Sequence, residues 1–186
     1  MGIQIRESTI EQIEKKLEGM QTDLNKIGYL ESAVKEASFS FEIKRYLWKL
    51  LADLYEGRKM FERAARAMAT KAGMEVMFRD KVDSYVTAAE LFARIGKVDD
   101  ADDMFVRASR DSSEGEKVKV RLARKNIYLV SANELEAKGK RASAVKFYEK
   151  LMTMNLEDVE KDEIRVKLLE RYKALGMFRE AKLLGE

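Results

Sequence analysis

The chain of 186 residues has no cysteine, no histidine and no proline. Without cysteine there is no disulfide to staple the fold and no thiol nucleophile. Without histidine the commonest general base and a common metal ligand are gone. Without proline every turn is built from glycine, serine, asparagine or a short charged segment, and no helix loses an N–H to an imino ring. Long apolar runs are missing too, and none approaches the roughly 20 residues that cross a bilayer. The opening Met1-Gly2-Ile3-Gln4-Ile5-Arg6 lacks the basic-then-apolar order of a secretory leader, and Arg6 stands where a myristoylation signal wants Ser or Thr. The compartment expected by default is the cytoplasm.

The same absences disfavour catalysis. Gly139-Lys140 lacks both the upstream glycine spacing and the following Ser/Thr of a phosphate loop. The paired acids Asp99-Asp100 and Asp102-Asp103 read as solvated carboxylates on a surface helix, and no calcium loop falls in register. The expectation is a protein that is not an enzyme and carries no cofactor and no metal.

Apolar residues make up 46% of the chain and charged residues 37%, which suits one folded domain over 1–186 with a sizeable core. Its organisation is repetitive. A turn residue, a residue two on and an alanine five on recur as Gly28–Leu30–Ala33, Lys59–Phe61–Ala64, Gly96–Val98–Ala101, Gly139–Arg141–Ala144 and Gly176–Phe178–Ala181. The alanines are spaced 31, 37, 43 and 37 residues apart, a period typical of stacked helical hairpins. The expected fold is therefore all-α: an α–α superhelix of about five antiparallel hairpins at 8–40, 41–72, 74–110, 113–154 and 156–185.

Individual helices follow from caps and stripes. Ser8 and Glu11 read as a capping box, and Ile10, Ile13, Leu17, Met20, Leu24 and Ile27 form one apolar stripe that Gly28 ends. A short helix follows from Leu30 toward Ser38–Ser40. Further helices are expected at 41–57, 60–72 (broken at Gly73), 74–95 and 98–110. Ser113 and Glu116 cap a long helix to about Lys138; 141–154 returns, Asn155 caps a helix to about Leu175, and 178–184 is a stub. No hairpin turn lies between alternating apolar runs, so no strand is expected.

The second hairpin reads Trp48-x2-Leu51-Ala52-x2-Tyr55, then Ala64 and Met68. The third reads Tyr85-x2-Ala88-Ala89-x2-Phe92, then Ala101 and Phe105. The fourth reads Tyr128-x2-Ser131-Ala132-x2-Leu135, then Ala144 and Tyr148. This pattern resembles the tetratricopeptide repeat, in which small residues let paired helices approach and aromatics fill the space around them. The terminal hairpins match poorly, as end repeats do. The family's proline is missing in every repeat, and the period exceeds its usual length. The aromatic series reads as core, with Trp48 expected to lie buried between the first two repeats.

The resemblance implies a concave face lined by the first helix of each hairpin, two before, one after, five after and eight after the Trp position. Among those positions here are Lys49, Asp53, Glu56, Asp83, Glu90, Asn126, Asn133, Glu136 and Glu170. The full set holds eight acids and three bases, about −5, against +3 for the whole chain. An acidic groove steers basic or amphipathic partners. Asn133 stands where the family often grips a peptide backbone. The expected function is a protein- or peptide-binding adaptor, with nucleic acid a remote partner and no membrane insertion. Two other readings stand beside it: self-assembly as a homodimer through a C-terminal end at Leu168, Tyr172, Phe178, Leu183 and Leu184, and nucleic-acid binding along Lys117, Lys119, Arg121, Arg124 and Lys125.

Overall fold

A computed structural model describes residues 4–110 and 112–185. Those residues form ten helices and no strand. They are α1 (Ile10–Glu18), α2 (Asp23–Ala33), α3 (Phe41–Gly57), α4 (Phe61–Met74), α5 (Phe78–Arg94), α6 (Val98–Arg110), α7 (Glu114–Ala137), α8 (Arg141–Met152), α9 (Asp158–Ala174) and α10 (Phe178–Gly185). From α2 onward each helix packs on its chain neighbours, and α5 also touches α7. No helix among the described residues is long and apolar enough to cross a membrane.

The turns that join α3 to α4, α5 to α6, α7 to α8 and α9 to α10 are copies of one another. Lys59, Gly96, Gly139 and Gly176 take φ of 59°, 80°, 71° and 72°. In each turn the next N–H reaches back to the carbonyl five residues earlier: Met60 to Tyr55 at 2.8 Å, Lys97 to Phe92 at 3.0 Å, Lys140 to Leu135 at 2.8 Å and Met177 to Tyr172 at 2.8 Å. This left-handed stop satisfies carbonyls that a helix end leaves open. The alanine five residues past each turn residue then opens the following helix and is buried in all four cases. Four of the five submotifs are thus one local structure.

The fifth is not, and the first hairpin differs from its sequence reading. The stripe from Ile10 to Ile27 is broken at Gly19-Met20-Gln21. Thr22 restarts the helix by accepting a bond from Asn25 N–H at 3.3 Å, and Gly28 lies inside α2. The residues from Val34 to Ser38 form turns, so no helix reaches Ser38–Ser40. The first cap is shifted by one: Thr9 accepts from Gln12, and the Gln12 side chain receives the Ser8 N–H. Gly73 is tolerated within α4, which stops at Glu75, and α5 starts at Phe78 rather than Met74. Glu157, not Asn155, is the N-cap of α9. The Ser113–Glu116 capping box is present as the sequence implies, with Ser113 N–H on Glu116 at 2.9 Å.

The core mixes two kinds of packing. α4 and α5 together bury seven alanines, and they are the most intimately packed pair of helices. Around α7 the core is aromatic: Phe105 meets Tyr128 edge-on at 5.6 Å, and Tyr128 meets Phe147 at 5.3 Å. Trp48 is a correction. Leu47 and Leu51 face the core, while Trp48 is half-buried beside it, and its buried indole N–H has no hydrogen-bond partner among the described residues. A helix can aim only one side of itself inward, and the two leucines occupy that side.

Candidate binding groove

The nine candidate groove residues lie on α3, α5, α7 and α9, and all are exposed or half-buried. Their charges are largely committed to one another and to neighbours. Lys49 and Asp53 pair one turn apart at 2.5 Å. Arg94 joins Glu56 of α3 at 2.9 Å to Glu90 of its own helix at 3.3 Å, and its guanidinium lies 5.2 Å from the Phe61 ring centroid. Arg171 of α9 pairs with Glu136 of α7. Glu136 also raises Tyr148: burial first, then that carboxylate's charge, pushes the phenol up to about 12. The Tyr148 hydroxyl donates to the Asn133 side-chain oxygen at 3.2 Å, so half of that amide is already used within the protein. Asp83, Asn126 and Glu170 stand exposed.

Arg94 and Arg171 are what the sequence reading missed. They stand nine past Tyr85 and six past Arg165, outside the four inward positions that set the acidic count. The face is accordingly less acidic than that count. A cavity of about 220 Å³ opens between α5 and α7, lined by Glu90, Arg94, Asn126, Ile127, Val130, Ser131 and Glu134. Of these only Glu90 and Asn126 are groove positions expected from the sequence.

The basic run on α7 fares differently. Lys117 pairs with Glu114 at 2.6 Å, Lys125 with Glu160 at 2.6 Å, and Arg124 with Asp102. Asp102 is a hub, because it also receives Tyr128 at 2.9 Å and Lys150 at 3.0 Å. Burial would raise its carboxyl, but the Lys150 and Tyr128 hydrogen bonds and the neighbouring cations outweigh that and hold it below its usual range. Three of the five cations in the run therefore serve internal ion pairs.

At the C-terminal end, Leu168 and Tyr172 are core residues rather than interface, and the Tyr172 hydroxyl donates to Glu149 at 2.8 Å. Leu184 is half-buried, and its carbonyl accepts from Arg165 at 2.8 Å. Phe178 and Leu183 remain outward, at 70% and 69% exposure. No group of three or more acidic side chains is set to hold a metal among the described residues. Comparison with protein-family models, with curated proteins and with solved structures found no match.

Proposed function

We propose that the chain is a protein-binding scaffold of tetratricopeptide-like superhelical form. It engages partners along the face formed by α3, α5, α7 and α9, and it binds rather than catalyses. The observation that carries the reading is the turn at Lys59, Gly96, Gly139 and Gly176, repeated in conformation and in hydrogen bonding. Such repetition suits hairpins that each leave an apolar face to the next, with their first helices side by side along one surface. Asp83 and Glu170 supply exposed negative charge there, which favours a basic or amphipathic partner. The test compares what immobilised wild-type protein and the Asp53→Lys, Asp83→Lys, Glu90→Lys triple variant recover from a native lysate. Salt-sensitive partners that the variant loses support the reading, whereas unchanged recovery moves the site off this face.

A second reading, homodimerisation through α10, draws on the outward Phe178 and Leu183. Sedimentation at micromolar concentration tests it. A concentration-dependent dimer abolished by Phe178→Glu with Leu183→Glu supports it, and a strict monomer removes it.

A further inference from the structure

We propose that the gap between α5 and α7 is the anchor pocket of the binding face, taking an aliphatic side chain flanked by lysine or arginine from a partner peptide. The proposal rests on the scaffold reading above. Three intervals separate the four helices α3, α5, α7 and α9, and the outer two are bridged. Glu56 reaches across to Arg94, and Glu136 reaches across to Arg171. Glu56 and Glu136 hold equivalent places, eight residues after Trp48 and eight after Tyr128. Eight residues after Tyr85 stands Ala93, which is buried and has no charge to offer. The middle interval lacks that rung, and the cavity of about 220 Å³ lies between the same two helices.

The chemistry of the gap selects its occupant. Ile127 and Val130 supply apolar surface among polar neighbours, and Val130 is 56% exposed. Covering it with an aliphatic side chain removes both apolar surfaces from water. Glu90 and Glu134 come from opposite sides of the pocket. Arg94 is already divided between Glu56 and Glu90, so it adds little free positive charge. Among the described residues Glu134 is held by Lys138 one turn away, in a pair exposed on both sides, and a partner's cation replaces such a neighbour at little cost. The exposed Asn126 amide can both donate to and accept from a peptide backbone. Glu90 is shared with Arg94, so the carboxylate that an acidic or phosphorylated segment meets as like charge is Glu134.

The test is selection from a random dodecapeptide library displayed on phage, with the full chain as bait. The expected result is enrichment of peptides with an aliphatic residue next to lysine or arginine. Their affinity falls at least about tenfold on Val130→Asp and on Glu134→Lys, and changes less than about twofold on Asp53→Lys. Val130 and Glu134 are exposed, so circular dichroism of these variants should match wild type. Peptides that resist Val130→Asp but are lost on Asp53→Lys overturn the pocket and leave the scaffold reading standing. Peptides indifferent to all three changes, or no enrichment at all, overturn both. Acidic winners that bind at the pocket overturn its stated chemistry.

Discussion

The seam between α4 and α5 and the seam where α6 meets α7 and α8 solve one problem in opposite ways. At the first, Ala64, Ala65, Ala67 and Ala72 on one helix and Ala88, Ala89 and Ala93 on the other let the backbones approach closely. Polar help comes from Lys71, which meets the buried Ser84 hydroxyl at 3.0 Å and pairs with Glu75. At the second, Phe105, Tyr128 and Phe147 hold the helices apart, and Asp102 gathers Arg124, Tyr128 and Lys150. One seam is held mainly by shape, so its strength should depend little on pH or salt. The other is held by rings and a half-buried charge cluster whose members depend on one another.

The largest effect should come from taking the hub out of the polar seam. Asp102→Ala leaves Arg124 without its anion and Lys150 with the exposed Asp99 at 3.5 Å, and for this half-buried cluster the cost should lie at the low end for a broken buried pair, about 3 kcal/mol. The pH dependence follows from the direction of the shift. The folded carboxyl lies below its ordinary 3.8, so its stabilisation is present above that value and is lost as pH falls through the folded one. Urea unfolding at neutral pH and near pH 3 measures this: the gap between wild type and Asp102→Asn should narrow in acid. A gap that stays constant assigns the cost to packing and erases the contrast between the seams.

A smaller loss is expected from crowding the alanine seam. Ala88 is fully buried, and Ala88→Leu forces the helices apart at a cost of about 1–3 kcal/mol. The loss should be the same at low and high salt, and the same change at the exposed Ala137 should cost nearly nothing. Tolerance of leucine at position 88 would mean that the close approach is not what holds this seam.

Tyrosines extend the comparison to the other junctions. Tyr55 of α3 donates to Glu31 of α2, Tyr128 of α7 to Asp102 of α6, and Tyr172 of α9 to Glu149 of α8. Among the described residues no tyrosine of α5 does so toward α4. All three phenols are raised by burial and by their carboxylates, Tyr55 up to about 12. A raised group contributes its full stability below the unfolded value near 10 and loses it as pH climbs through the folded value. Melting temperature should therefore fall steeply between pH 10 and 12, and Tyr55→Phe should lose about 1 kcal/mol at pH 8 while softening that fall. An unchanged alkaline slope in Tyr55→Phe would show that this hydroxyl is not coupled to folding.

How much of this was readable beforehand depended on whether the signal was local. The helices α3, α6 and α7 follow their stripes and caps almost to the residue, because those signals lie within the helix itself. The break at Gly19 was hidden because the apolar stripe continues in phase on both sides of it. Trp48 was misplaced because the spacing cannot say which side of a helix wins when Leu47 and Leu51 compete with it. The groove's nine residues could be numbered, but their partners could not: Arg94 and Arg171 belong to other turns and act across helices. Pairings between elements depend on side-chain reach in three dimensions, which a periodic pattern does not contain.

The smallest effect bears on the turns themselves and is favourable in sign. Lys59 holds φ at 59°, the place that glycine fills in the other three copies. A side chain there meets the following carbonyl, at a cost of roughly 1–2 kcal/mol that glycine avoids. Glycine gives part of this back through its freer unfolded chain. Lys59→Gly should therefore raise stability by about 0.5–1 kcal/mol. Gly96→Ala should do the reverse, since φ of 80° strains any residue with a Cβ. Paired urea titrations of the two variants read both signs in one experiment. If Lys59→Gly lowers stability instead, that turn differs from its three counterparts, and the repeat would rest on glycine turns alone.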